Sequence, residues 1–385
     1  MPEHSEDKKI DLNEFLGPFA KLDDPRKSRA TLHLFDEILF IALAAVIAGA
    51  EGFVDMESFG RSKESWLRSF LKLPKGIPSH DAFGDLFALL EPEEFNSAFI
   101  EWTDQLRETV SREVIAFDGK TMRGSHNRSK GKKMVHTVSA WATSNRLVLG
   151  QIATEKKSNE ITAIPKLLKL LHLEGCVITI DAMGTQKTIA AEIIAQKADY
   201  ILALKENHET FHDEVKELME DPATLKELQL QGARLECFTE EEKNRGRFEK
   251  RSCVVLEKTD WFREDWQWSG LKTLVMIERH RKTPSDENWS LERHFYITSL
   301  PAEAKEIGRM IRNHWGIENS LHWVLDVTYQ EDSCRVRSGH AASNLSTLRK
   351  WTLNLFKNAS GPKSVRQKQK KAAWDHDYLL QLLTF

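Results

Sequence analysis

Cysteine is scarce in this sequence: four residues in 385, Cys176, Cys237, Cys253 and Cys334, with no C-x-x-C pair among them. That scatter argues against a zinc ribbon and against a disulfide framework, and it suits a reducing, cytoplasmic setting. A long apolar run is also lacking. The most apolar stretch, Ile38 to Ala50, is too short to span a bilayer. It follows Asp36-Glu37 rather than a basic segment and lies too far in for a signal peptide, so it reads as a buried helix. No membrane partner is expected. Neither sign of charge dominates: 55 Lys and Arg stand against 58 Asp and Glu, a formal net charge of -3. No global positive field therefore points to nucleic acid. Internal repeats and low-complexity tracts are absent.

What is present is the composition of a globular protein, 41% hydrophobic and 29% charged, in a chain long enough for one large domain or two ordinary ones. Local basic clusters offset the neutral sum: Arg26-Lys27-Ser28-Arg29, Arg123 to Lys133, and Lys363 to Lys371. Phosphate contacts are made by one face only, so such clusters matter more than the total, although each is also what a solvated surface looks like.

Residues 1–30 are polar and read as a loosely ordered arm. Residues 31–110 are helical in pattern, with the run Ile38 to Ala50, then Met56 to Leu71, then a helix after Pro78. Ser79 can cap that helix, Asp81 favours its positive end, and Glu91-Pro92 ends it. At Val114 the period changes. Val114 to Phe117, Val135 to Trp141 and Leu147 to Ala153 read as an antiparallel meander. A helix at Ile161 to Leu171, a strand at Val177 to Ile180, a helix at Thr188 to Lys197 and a strand at Tyr200 to Leu204 follow. This order predicts an α/β fold: a ribonuclease-H-like mixed sheet with helices on both faces, spanning 111–358 behind an all-helical N-terminal domain. Residues 232–299 are expected to form a β-rich insertion, as a small subdomain of its own. Helical periodicity returns from Ala302 to Val327. The tail, 359–385, is basic and expected to be less ordered, with an apolar end at Leu379 to Phe385.

Asp118 and Asp181 each end a short apolar run. A carboxylate there stands at the mouth where open α/β sheets bind ligands. Asp118-Gly119 is equally a turn signal. Two such aspartates on neighbouring strands repel each other unless a cation lies between them. All-oxygen donors suit Mg²⁺ or Mn²⁺, and paired ions can clamp the attacking and leaving oxygens of a phosphodiester. A third acid, Glu318, lies in His314-Trp315-Gly316-Ile317-Glu318-Asn319. On one continuous helix, His314, Glu318, His322 and Asp326 share a face. That stripe also reads as solvated surface, or as a His-Glu-His zinc face, though not with zincin spacing. Asp326 is the alternative third carboxylate.

Five segments together carry a resemblance. Ala116 to Ser125, Lys157 to Pro165, Ile180 to Gln186, Leu204-Lys205-Glu206-Asn207 and His314 to Asp326 with Glu331-Asp332 resemble, in order, the blocks of the ISAs1-type transposases, also called H-repeat-associated proteins. Asp24-Pro25-Arg26 and Pro78 to Phe83 resemble that family's helical accessory domain. The resemblance implies a DDE transposase in which Asp118, Asp181 and Glu318 hold two Mg²⁺ or Mn²⁺ ions. It implies cleavage and strand transfer of double-stranded DNA, with the N-terminal helices on the terminal inverted repeats and a homodimer in the DNA complex. Related IS4-type enzymes carry Tyr-x2-Arg-x3-Glu-x6-Lys around the glutamate; here Ile311, His314 and Leu325 stand at those Tyr, Arg and Lys positions. Arg312, His314 or His322 would then take over the terminal phosphates. Lys120, Arg123, Lys205 and Asn207 are further candidates for backbone contacts. The alternative is a catalytically inactive, transposase-derived DNA-binding protein.

Overall fold

The N-terminal apolar run becomes helix α1 (Phe35–Ile47), in which every residue from Glu37 to Ile47 is buried. It has no polar face because other helices surround it. The buried Glu37 is satisfied by the backbone N–H of Leu73, which donates to its Oε1 at 2.8 Å. Around α1 stand α2 (Phe53–Ser62), the short α3 (Glu64–Leu67), α4 (His80–Leu89) and α5 (Pro92–Leu106). Ser79 caps α4 by accepting from the Ala82 N–H, and Pro92 opens α5 at a position where a missing N–H costs nothing. The structure, a computed structural model, describes residues 17, 19–26, 31–126, 131, 133–154, 160–244, 246–257, 268–283 and 288–384. Most of the expected N-terminal arm, Lys27 to Arg29, Arg128, Lys130, Lys132 and Lys157 to Asn159 lie outside them.

A nine-stranded sheet follows. Its chain order is β1 (Val114–Met122), β2 (Val135–Ala142), β3 (Leu147–Thr154), β4 (Val177–Ile180), β5 (Asp199–Leu204), β6 (Leu235–Asn244), β7 (Arg247–Glu257), β8 (Thr273–Lys282) and β9 (Ser290–Thr298). In space the strands run β3-β2-β1-β4-β5-β9-β8-β7-β6. β1, β4 and β5 are parallel, and the other pairings are antiparallel. The mixed sheet and flanking helices are those the sequence predicts. The Asp118-Gly119 turn is not: β1 runs through both residues to Met122. Nor do β6–β9 form a subdomain of their own. They add to the open edge at β5 through β9, because Ile201 to Leu204 still has a free side to pair.

Helices α6 (Glu160–Leu170), α7 (Lys187–Ala195), α8 (Glu209–Glu220) and α9 (Pro222–Leu230) contribute to a core with one face of the sheet, through Leu167, Ile189, Val215 and Leu225. On the other face, α10 (Ala304–His314) packs over Val114, Val177 and Ile201. Beyond α10 the chain stays helical but widens. Glu318–His322 is a π-helical turn, with the Trp323 N–H donating to Glu318 O five residues back, and α11 (Trp323–Val327) continues from it. The continuous α-helix expected over this stretch is therefore interrupted at Glu318. α12 (Ala341–Asn358) is buried along nearly its whole length, wedged between the N-terminal helices and the sheet. The expected loose tail is instead two helices, α13 (Val365–Trp374) and α14 (His376–Leu383), with Leu379, Leu382 and Leu383 in the same core as α1 and α12. No described helix is long and apolar enough to cross a membrane.

Candidate active site

Parallel pairing of β1 with β4 fixes the first two acids. Phe117 lies opposite Ile180, the last pair of this ladder, so Asp181 leaves the end of β4 next to Asp118, where β1 runs on beyond its parallel partner. Apolar residues behind them anchor both strands: Ile115, Phe117, Ile178 and Ile180 are all buried. Asp118 Oδ1 accepts from the Gly119 N–H at 2.8 Å. Burial pushes the Asp118 carboxyl up to about 7, and the charges of Asp181, Glu318 and Glu160 add to that rise. Burial raises Asp181 as well, with Glu160 the next contributor. The three acids far apart in the chain thus converge electrostatically on one strand end.

Glu318 opens the π turn on the side of the sheet where α10 lies. Ile317 and Leu321, both fully buried, clamp that turn into the core while Glu318 itself stays exposed. π turns place an extra residue in a helix and are frequent at functional sites. The other members of the predicted stripe also meet the sheet. His314 Nδ1 lies 2.9 Å from Thr179 Oγ1 on β4, His322 Nδ1 lies 3.4 Å from Asp118 Oδ2, and Asp326 meets Lys120 on β1 at 2.6 Å. Burial holds His314 at about 4; burial, with Lys350 and Lys120 nearby, holds His322 at about 3. Both imidazoles are therefore neutral near pH 7, and neither offers a positive charge to a phosphate. They also do not assemble a zinc face with Glu318. Among the described residues no three His, Cys, Asp or Glu side chains close on one metal position.

Lys120 is not a surface cation awaiting DNA. Its side chain is 7% exposed and its ammonium reaches Asp326 at 2.6 Å, Asp332 at 3.1 Å and Glu331 at 3.2 Å. Asp326, the alternative third acid, is thereby committed to Lys120. Glu331 is fully buried and held at about 2, against the cost of its burial, by Lys350, Lys120 and Arg349. Ser346 Oγ donates to it at 2.8 Å, and Lys350 donates in turn to Ser346 and Gln151. This buried network joins β1, β3 and α12 to the segment that follows Glu318.

The remaining predicted contacts divide. Arg312 is engaged by Glu240 at 2.9 Å and Glu242 at 2.7 Å on β6. Asn207 donates from Nδ2 to Ala182 O at 2.7 Å and fastens the turn after Asp181. Arg123, 81% exposed, leans on Asp332 at 3.4 Å, while Lys205 is exposed and lowers the Asp181 carboxyl. Of these, Lys205 presents exposed charge near Asp181, and Arg123 does so beyond the end of β1. Sequence reasoning assigned no role to Glu160 and His136, a buried pair beside Gly119. Two signals were available: the glycine after Asp118, which read as a turn, and the place of Glu160 inside the block Lys157 to Pro165.

The transposase DDE domain family matches residues 110–355, and the family described as "DDE_Tnp_1-associated" matches residues 16–103. "Putative transposase YncI" of Escherichia coli O157:H7 is 38% identical over 97% of this chain and 95% of its own length. "H repeat-associated putative transposase YhhI" of Escherichia coli (strain K12) is 36% identical over 97% of this chain and 98% of its own. With Asp118 and Asp181 on neighbouring parallel strands, Glu318 on the helical segment after α10 and these matches along nearly its full length, the chain belongs to the DDE-superfamily transposases, in the company of the H-repeat-associated proteins.

Proposed function

We propose that this chain is the transposase of an ISAs1-type insertion sequence. It binds the terminal inverted repeats of its own element, cuts double-stranded DNA there and joins the ends to target DNA. Asp118, Asp181 and Glu318 are the acids that act, and the protein works as a homodimer holding two ends. What supports this reading most is the pairing of Phe117 with Ile180, because it brings Asp118 and Asp181 to one level on neighbouring strands, where burial, with the charge of Asp181 added, raises Asp118 to about 7.

Such a donor set fits a hard divalent cation. It is all oxygen, contains no thiolate, and carries mutual repulsion that a cation would relieve. Asp118, Asp181 and Glu318 would hold two Mg²⁺ or Mn²⁺ ions, which when bound would polarise the phosphodiester and acidify an attacking water or 3′-hydroxyl. The protein's own groups do the rest. His322, neutral beside Asp118, carries no charge to compete for its carboxylate. Arg123 and Lys205, both exposed, would steady the DNA backbone without reading sequence.

The test uses the full chain with linear DNA carrying the element's ends. Mg²⁺-dependent nicking at those ends is expected, and Asp118→Ala, Asp181→Ala and Glu318→Ala should each reduce it roughly hundreds-fold or more. Full nicking by any one variant removes that residue from the centre. End-specific binding with no metal-dependent cleavage would select the inactive, DNA-binding alternative instead.

A further inference from the structure

Two side chains outside the triad sit against the backbone next to Asp118. Glu160, the first residue of α6, and His136 on β2 are 5% and 3% exposed, and His136 Nε2 lies 2.6 Å from Glu160 Oε1. His136 Nδ1 lies 2.8 Å from Thr121 Oγ1. The simplest proton arrangement has the threonine hydroxyl donating to Nδ1 and Nε2–H donating to the carboxylate. The imidazole is then neutral and Glu160 keeps its charge.

A buried carboxylate with a neutral partner is expensive to maintain. The fold nevertheless makes room for it at a particular place. A Cβ on Gly119 would stand 2.3 Å from Glu160 Oε1 and 2.6 Å from His136 Nε2, so the pair presses on the backbone of the residue after Asp118. From there its charge acts on both Asp118 and Asp181. Among the described residues no lysine or arginine pairs with it, unlike Glu331 in the network behind Lys120.

We propose that Glu160, fixed by His136, is a fourth acidic member of this centre and sets its affinity for divalent ions. The proposal rests on the reading of Asp118, Asp181 and Glu318 given above and assigns a positioning role. Glu160 need not touch DNA; it deepens the negative potential at Asp118 and Asp181, and His136 keeps the carboxylate aimed, as outer partners do around metal sites.

The experiment follows the thermal midpoint of the DNA-free full chain as Mn²⁺ or Mg²⁺ is titrated, because an ion that binds the folded state stabilises it. Glu160→Gln keeps an acceptor for Nε2–H and removes the charge. It should raise the half-maximal Mn²⁺ concentration roughly 10- to 100-fold, with the metal-free midpoint unchanged or higher. His136→Asn should shift the metal response in the same direction by less. A wild-type Mn²⁺ response in Glu160→Gln overturns the proposal. If that variant does not fold, Glu160→Asp, which keeps the charge but withdraws it from His136, must show a measurable shift or the proposal fails. Asp118→Asn and Asp181→Asn run alongside: if they too keep the wild-type response, the reading of the triad is wrong and takes this one with it.

Discussion

Lys120 and Asp326 meet at 2.6 Å, and through that contact the strand carrying Asp118 is tied to the helix carrying Glu318. The two residues belong to segments about as far apart in the chain as the acids themselves. Asp332 and Glu331 complete the grip, so the lysine answers to three carboxylates and leaves no room for a phosphate. Lys120→Met should therefore behave as a broken internal clamp, destabilising the fold by about 3 kcal/mol, the low end for a broken buried pair, because the buried Glu331 loses one of its partners while Asp326 and Asp332 are partly in solvent. Denaturant unfolding measures this. The salt dependence of DNA binding should keep its slope; a slope reduced by about one would mean that Lys120 does contact phosphate after all.

Arg123 and Arg312 offer the opposite comparison. Arg123 is largely in solvent, whereas Arg312 is shared by Glu240 and Glu242. Fluorescence anisotropy across a salt series should show Arg123→Ala lowering the slope of log affinity by about one, while Arg312→Ala leaves it alone. Equal effects would remove the distinction drawn between exposed and committed arginines.

The raised carboxyl of Asp118 makes the metal-free protein sensitive to pH. Its folded value is about 7 against an ordinary 3.8, so between those values the folded state binds a proton that the unfolded state has lost. The stability tied to that proton is whole below about pH 4 and is lost as pH rises through about 7. Its ceiling is about 4 kcal/mol, from roughly three pH units at 1.36 kcal/mol each. In chelator, the thermal midpoint should fall between pH 5 and pH 8 for this reason, and Asp118→Asn should flatten that part of the curve. Parallel profiles for the two proteins would contradict the assignment.

Gly119→Ala tests the close approach at the back of the site. The added methyl would lie 2.3 Å from Glu160 Oε1, so either β1 or the Glu160–His136 pair must move. Overpacking of this kind costs typically about 1–3 kcal/mol. Cleavage should fall further than stability does, since the displaced backbone carries Asp118 itself. Wild-type cleavage in Gly119→Ala would show that the fit beside Asp118 is looser than described.

Much of this site can be read from the chain. Val114 to Phe117 and Val177 to Ile180 announce buried strands, and an acid at the end of each is a local pattern. Other features are not local. β6–β9 look like a separate β unit because nothing in their own residues records the unpaired side of β5. Glu160 and His136 come together only once β2 packs against α6, a contact across 24 positions that neither neighbourhood encodes. The π turn is silent too, since four-residue spacing over His314 to Asp326 suits an ordinary helix equally well. The tail is a different matter. Ser364 accepts from Gln367 N and Asp375 from Tyr378 N, two cap signals plainly present but outweighed in the reading by a run of lysines.

The wide turn at Glu318 also fixes how much sequence the site can lose. A π turn holds one residue more than the regular helix on either side of it, so deleting one position between Glu318 and His322 would close the bulge and leave α11 near its present orientation, with Asp326 still able to reach Lys120. A deletion one turn later, between Trp323 and Asp326, meets no bulge to absorb it and would turn Asp326 about 100° away from Lys120. The stretch has slack at Glu318 and none beyond it.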